Sequence, residues 1–271
     1  MYTIIHVRGR DAAEFLQGQL TQDVTRLKND RCLPAAWCNP QGRVVMTLRV
    51  LAIDRDFALV IPQDSAESAL ARLRMYRLRA KVEFLPDAGD WQLFAVADGC
   101  IGTERLPADI CFAQLASEDP VLEIFATRDA VGRAGLRNTP QLDTVAWQLA
   151  RICAGQVDVC AANTTQYTPH MLNLDLTGAI SFRKGCYTGQ EIVARTENLG
   201  RSKRRTFRYS CDEPDLAIGA TLRDGDQNVG TIVNVSGNAL LAVVPVALAG
   251  KPLHIRGVEA TPQPLPYEIP A

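Results

Sequence analysis

The sequence has no C-x-x-C pair among its eight cysteines, which excludes a zinc ribbon and a disulfide framework as readings. It also has no excess charge: 29 Lys plus Arg stand against 30 Asp plus Glu, a formal net charge of -1. Bulk composition therefore draws the chain neither to nucleic acid nor to an anionic membrane, and any such partner must be met by a local patch. No apolar run approaches the roughly 20 residues that span a bilayer. Residues 1–8 do not form a basic leader ahead of a long apolar segment. A soluble cytoplasmic protein without membrane contact is the expectation. G-x-G-x-x-G, the Walker loop, H-E-x-x-H and G-x-S-x-G are missing too, which removes the commonest dinucleotide, phosphate, metalloprotease and hydrolase readings. There is no internal repeat or low-complexity tract.

What is present is 271 residues, 47% of them apolar and 22% charged, enough for two or three packed units. Residues 3–7 read as a strand, and Asp11-x-x-Glu14 has capping-box spacing for a helix carrying Phe15, Leu16 and Leu20. Apolar runs at 33–38, 43–53 and 57–61, split by turn-like clusters, predict two hairpins in series. Ser65 is expected to cap a second helix with Ala66, Ala69, Leu70, Leu73 and Tyr76 on one face; Arg72, Arg74, Arg77 and Arg79 read as its solvated face. Further strands are expected at 81–85, 91–97 and 121–127. Asp143 is placed to cap a helix running to about Ala154, with Val145, Ala146, Leu149, Ile152 and Cys153 on one side and Trp147 at its edge. Beyond Arg204, short apolar runs separated by Gly and Asp turns predict a small β-barrel. The division is an α+β region over 1–204 and a barrel domain over 205–271.

The segment richest in chemistry is Lys184-Gly185-Cys186-Tyr187-Thr188-Gly189-Gln190-Glu191. Thr188 and Glu191 have capping-box spacing, so a helix is expected from Gly189 to a left-handed exit at Gly200. Cys186 then sits ahead of a helix N-terminus beside Lys184, and both features favour thiolate over thiol. Gly185 and Gly189 leave room for close approach of a ligand.

This string resembles the signature of the YgfZ family of folate-binding proteins, relatives of the aminomethyltransferase T-protein of the glycine cleavage system. Gly9 with Phe15-Leu16-Gln17-Gly18-Gln19-Leu20-Thr21-Gln22-Asp23-Val24, Gln41-Gly42-Arg43, Asn173-Leu174 and Val229-Gly230-Thr231-Ile232-Val233 extend the similarity over most of the chain. The resemblance implies ferredoxin-like α+β units and a C-terminal barrel around a central folate-sized channel. It implies tetrahydrofolate or a reduced derivative as cofactor, held by Tyr2, Trp147, Gly185, Tyr187, Gly189, Gln190 and Glu191, with Cys186 and Lys184 as the reactive pair and no metal assigned. Flat rings stack well on aromatic faces. The T-protein's proposed catalytic aspartate has no counterpart on the strand Arg43 to Leu48, so aminomethyl transfer is not expected.

The implied role is a non-enzymatic folate-binding factor. It would support assembly or repair of iron-sulfur clusters in client enzymes such as tRNA methylthiotransferases, so that its effect on tRNA is indirect. The alternative is a folate-dependent one-carbon transferase acting on tRNA or a protein. A cluster carrier is a third reading, but one cysteine falls short of the about four ligands a cluster needs. Cys153 and Cys160 would help only if folding brought them near. His170 and the basic run Arg183, Lys184, Arg195, Arg201, Lys203, Arg204, Arg205 and Arg208 are further candidates for polar contacts with folate, RNA phosphate or a partner.

Overall fold

Alternation along β1 (Tyr2–Arg8) turns Ile5 and Val7 to one face and Ile4 to the other, so this strand becomes the spine of a sheet buried on both sides. α1 (Ala12–Gln19) follows and buries Ala12, Phe15 and Leu16. The Asp11 capping box does not form, because the Asp11 carboxylate accepts the Lys81 backbone N–H at 2.7 Å instead. β2 (Cys32–Cys38), β3 (Val44–Ile53) and β4 (Asp56–Pro62) make the two expected hairpins. α2 (Gln63–Met75) starts before Ser65, whose hydroxyl donates to the Pro62 carbonyl from inside the first turn rather than capping it. β5 (Glu83–Pro86) completes a sheet of order β2-β3-β4-β1-β5, covered on one face by α1 and α2. The structure is a computed structural model that describes residues 2–27, 32–103, 106–107, 109–200 and 202–270.

A second sheet has the order β6-β8-β7, formed by β6 (Trp91–Ala97), β7 (Ile110–Leu115) and β8 (Val121–Thr127). β7 lies outside the strands read from the sequence; antiparallel pairing with β8 makes it a strand. α3 (Arg128–Arg133) packs on one face of this sheet. The opposite face brings Cys111 and Phe125 against Leu51, Ala58 and Val60 of the first sheet.

α4 (Thr144–Cys153) is capped as expected, the Asp143 carboxylate accepting the Ala146 N–H at 2.8 Å. Its expected stripe is only partly the buried face. Val145 and Leu149 are exposed, whereas Ala150, Arg151 and Ile152 are buried. α5 (Gln190–Leu199) ends at Gly200 in extended backbone (φ -150°), not in the left-handed exit expected.

The chain finishes in a closed barrel of β9 (Arg204–Cys211), β10 (Thr221–Asp224), β11 (Gln227–Ser236), β12 (Ala239–Pro245), β13 (Leu253–Ile255) and β14 (Val258–Gln263). β14 is the barrel strand the sequence reading lacked. A shared core of Val44, Ile152, Val159, Leu172, Val193, Val233 and Leu241 locks the barrel and α5 onto the rest. No helix among the described residues is long and apolar enough to cross a membrane.

Candidate functional site

Period-two alternation sets Arg49 on the same face of β3 as Leu51, and Glu123 on the same face of β8 as Phe125, so both charges enter the interface between the sheets. There Arg49 grips Glu123 through Nε at 2.7 Å and Nη2 at 2.5 Å, both on Oε2. The other oxygen, Oε1, accepts Arg151 Nη1 at 2.7 Å and the Trp147 indole N–H at 2.8 Å, both from α4. Arg151 also donates to Asp158, Nη2 to Oδ1 at 2.7 Å and Nε to Oδ2 at 3.0 Å. Tyr2 donates its hydroxyl to Asp158 Oδ2 at 2.5 Å and lies under the Arg151 guanidinium and beside the Trp147 ring, centroids 5.5 Å apart. Two arginines and two carboxylates thus close a neutral network with the two aromatics attached.

The electrostatics separate the two carboxylates. Burial alone would raise the Glu123 pKa, but Arg49 and Arg151 overcome it and hold the group ionised, with a pKa of about 2. A carboxylate offers about four acceptor positions. Glu123 fills all of them, which leaves it no capacity as a base. Asp158 has three filled, so one position remains on Oδ1. Burial keeps Tyr2 protonated by raising its pKa well above the ordinary value, so it serves as a donor.

Beside this network opens a cavity of about 520 Å³ lined by Tyr2, Gln148, Arg151, Gln156, Asp158 and Asn234 among others. A second cavity of about 310 Å³ takes Arg49 and Gln156 into its wall, so the network borders both. An aromatic ring, a carboxylate with a spare acceptor position and a set of carboxamides form a donor and acceptor set suited to a flat, hydrogen-bonding heterocycle such as a pterin.

Of the candidate site residues singled out in the sequence, Tyr2 and Trp147 reach this network, and Cys160 lines the cavity beside it. Arg49, Glu123, Arg151 and Asp158 were missed. The available cue was a lone charge inside an apolar run, as in Leu48-Arg49-Val50 and Leu122-Glu123-Ile124, because such a charge is buried only with a partner.

The signature segment is built differently. Lys184 reaches back to the end of α1, where its ammonium donates to the carbonyls of Gln17, Leu20 and Gln22 at 2.7, 2.6 and 2.8 Å and sits over the Tyr187 ring. Burial lowers its pKa to about 8, against a smaller upward pull from Asp23. Gly189, not Thr188, is the N-cap of α5; Thr188 instead donates its hydroxyl to the Gln19 side chain. The expected capping box is therefore absent.

Gly189 has φ +82°, and a Cβ there would lie 2.5 Å from the Asn39 carbonyl; at Gly42, φ +67°, it would lie 2.6 Å from Ile192. The room at Gly189 is filled by the protein's own 39–42 turn, and that at Gly42 by Ile192 of α5, not by a ligand cavity. Gly185 borders open space, Glu191 is exposed, Tyr187 is buried, and the Gln190 N–H bonds the Tyr187 carbonyl. None of these five residues lines the cavity beside Tyr2.

Cys186 is exposed, and it too is not among the residues lining that cavity. The physical reason is distance: α5 docks at the start of β3, and Val44 and Arg49 are separated along that strand by roughly 16 Å.

His170 is buried and bonds Glu197 at 3.1 Å through Nε2, and Asp175 is held by Arg205 at 2.7 Å. His170, Asp175 and Glu197 are the one group of three ligating side chains found close together among the described residues, and it contains no cysteine. Arg205 forms an ion pair with Asp175, and His170 and Glu197 are joined by a hydrogen bond. Arg204 and Arg205 donate to backbone carbonyls inside the fold, and Arg201 lies outside the described residues.

No family model matches the chain. A tRNA-modifying protein YgfZ from Hamiltonella defensa is 32% identical over 261 residues, covering 85% of this chain and 75% of that protein. One of the same name from Escherichia coli O157:H7 is 31% identical over 233 residues, covering 75% and 68%. Among solved structures, the glycine cleavage system aminomethyltransferase T from Bartonella henselae superposes with a TM-score of 0.69 at 18% identity, covering 98% of this chain and 83% of that one, which establishes the fold. With the two ion-paired sheets, the closed barrel and the signature packed on its turn, the chain belongs to the family of the tRNA-modifying protein YgfZ.

Proposed function

We propose that this protein is a tetrahydrofolate-binding accessory factor for tRNA modification, acting through the iron-sulfur enzymes that carry it out. The observation that carries the reading is the cavity walled by Tyr2, Arg151 and Asp158, with Trp147 fixed behind Tyr2. In it, Tyr2 supplies aromatic surface, held in place by Trp147 packed against its ring, and Asp158 Oδ1 accepts from a pterin N–H. A reduced folate would supply one-carbon or redox chemistry when bound. The chain's own contribution is to hold and orient it.

Glu123 and Asp158 are already engaged by arginine, Asp64 lies exposed on the rim at the start of α2, and the strand Arg43 to Leu48 bears no acid, which favours binding over aminomethyl transfer. Cys186 presents its thiol to solvent and acts toward a client enzyme rather than toward the cavity. The iron-sulfur cluster belongs to the client.

Calorimetric titration with tetrahydrofolate tests the ligand. Trp147→Ala and Asp158→Asn should each weaken binding by about tenfold, the usual effect of losing an aromatic anchor or a charged acceptor. Unchanged affinity in both variants would refute the assignment. Cys186→Ala should bind tetrahydrofolate normally yet fail to restore methylthiolated tRNA in cells lacking the wild-type protein; full restoration would remove the thiol from the mechanism. Production of methylene-tetrahydrofolate from an aminomethyl-lipoyl carrier would overturn the accessory reading.

A further inference from the structure

At the far end of β1 from Tyr2, about 20 Å along the strand, lies a second groove of about 520 Å³. It is walled by the β1–α1 turn and the α2–β5 connection, joined by the hydrogen bond from Lys81 N to Asp11. Its lining carries Arg8, Arg10, Arg77, Arg79 and Lys81 against a single acid, Glu83. In a chain with net charge -1 this is a marked local excess.

The cations are unequally engaged. Arg77 donates to the Val82 carbonyl at 3.2 Å, and the exposed Arg10 lies 3.4 Å from Asp11. The side chains of Arg8, Arg79 and Lys81 make no hydrogen bond or ion pair with any described residue, and all three are exposed.

Two apolar side chains stand at the same end of α2. Leu78 is 88% exposed and Met75 68% exposed. Leu78 also holds φ +44°, a left-handed conformation disfavoured for a residue that carries a side chain. An exposed leucine in a disfavoured backbone state, next to the unpaired Arg79, has no role in the core.

We propose that this groove docks an acidic segment of a partner protein, its carboxylates seated among Arg8, Arg79 and Lys81 and an adjacent apolar side chain resting on Leu78. Charge complementarity names the acid, and the exposed leucine and methionine name the apolar neighbour. RNA fits less well. Tyr76, the aromatic next to the groove, is packed edge-on against Trp37 at 5.7 Å and is not free to stack on a base. Strand addition to β5 is blocked, since Arg74 and Arg77 already occupy the Phe84 and Val82 carbonyls. The partner is therefore read by side chains. The groove is independent of what fills the cavity at Tyr2.

Fluorescence anisotropy with a labelled synthetic peptide of alternating glutamate and leucine tests the proposal, beside the same peptide with serine for leucine, unfractionated tRNA and phosphatidylglycerol vesicles. The leucine peptide should bind, more weakly as salt rises. The Arg79→Glu/Lys81→Glu double variant should lose about tenfold in affinity, and Leu78→Ser about threefold. Tetrahydrofolate affinity and circular dichroism should be unchanged in both, because these side chains lie on the surface away from the cavity. Equal binding of the two peptides, binding unaffected by the variants, or binding of tRNA or vesicles through the same residues without leucine dependence would each overturn it.

Discussion

Two regions of this molecule bring charge into its interior and neutralise it in different ways. Around Glu123, ionised side chains from both sheets, α4 and the segment after it cancel one another in pairs. At the signature, a lone ammonium on Lys184 is met by carbonyl dipoles at the end of α1. The first arrangement is all-or-none, because removing one member leaves another charge buried without a partner. The second is graded, because its acceptors are neutral. The lesson is a division of labour. The conspicuous string staples α1 to α5, while the cavity wall is made of isolated charges that no motif announces.

Breaking the first region should have the largest effect. Glu123→Gln keeps the side-chain shape but leaves Arg49 and Arg151 facing a neutral amide, and urea unfolding should show a loss of about 3–5 kcal/mol. A loss under about 1 kcal/mol would mean that the charges are not coupled as described.

Acid should reach the same network without mutation. The Glu123 pKa of about 2 lies below its ordinary 4.5. The stabilisation is therefore complete above about pH 4.5 and lost as pH falls toward about 2, on the order of 3 kcal/mol in all. Urea midpoints followed from neutral into acid pH should fall in the wild type and fall much less in Glu123→Gln.

The second region gives a smaller effect. Lys184→Met removes three hydrogen bonds to carbonyls and should cost about 2 kcal/mol while leaving tetrahydrofolate affinity unchanged. A matching loss of affinity would join the two regions that the comparison separates. Smallest of all, Tyr2→Phe deletes one hydrogen bond to Asp158 and should lower stability by about 1 kcal/mol, measurable as a shift in urea midpoint.

Much of this was legible in the residues. The hairpins at β2–β4, the Asp143 cap of α4 and most barrel strands follow from alternation and turn chemistry, which act over a few residues. β7 and β14 were not legible, because each becomes a strand by pairing, β7 in a hairpin with β8 and β14 with β13 and the distant β9. Thr188 and Asp11 have capping spacing, yet each side chain finds a better partner across the fold. Tyr2 and Trp147 came from family resemblance rather than from pattern, and their contact bridges 145 positions of sequence.

By itself, the amino-acid order determined the element types, the barrel at the C-terminal end and the kinship carried by residues 184–191. Only the tertiary structure decided that Arg49, Glu123, Arg151 and Asp158 share one buried network, and that Cys186 looks outward while Lys184 turns in. The reason is physical. Hydrophobic periodicity is written locally, but a buried charge is tolerable only beside its counter-charge, and which distant segment supplies that partner is fixed when the two sheets and α4 close on one another.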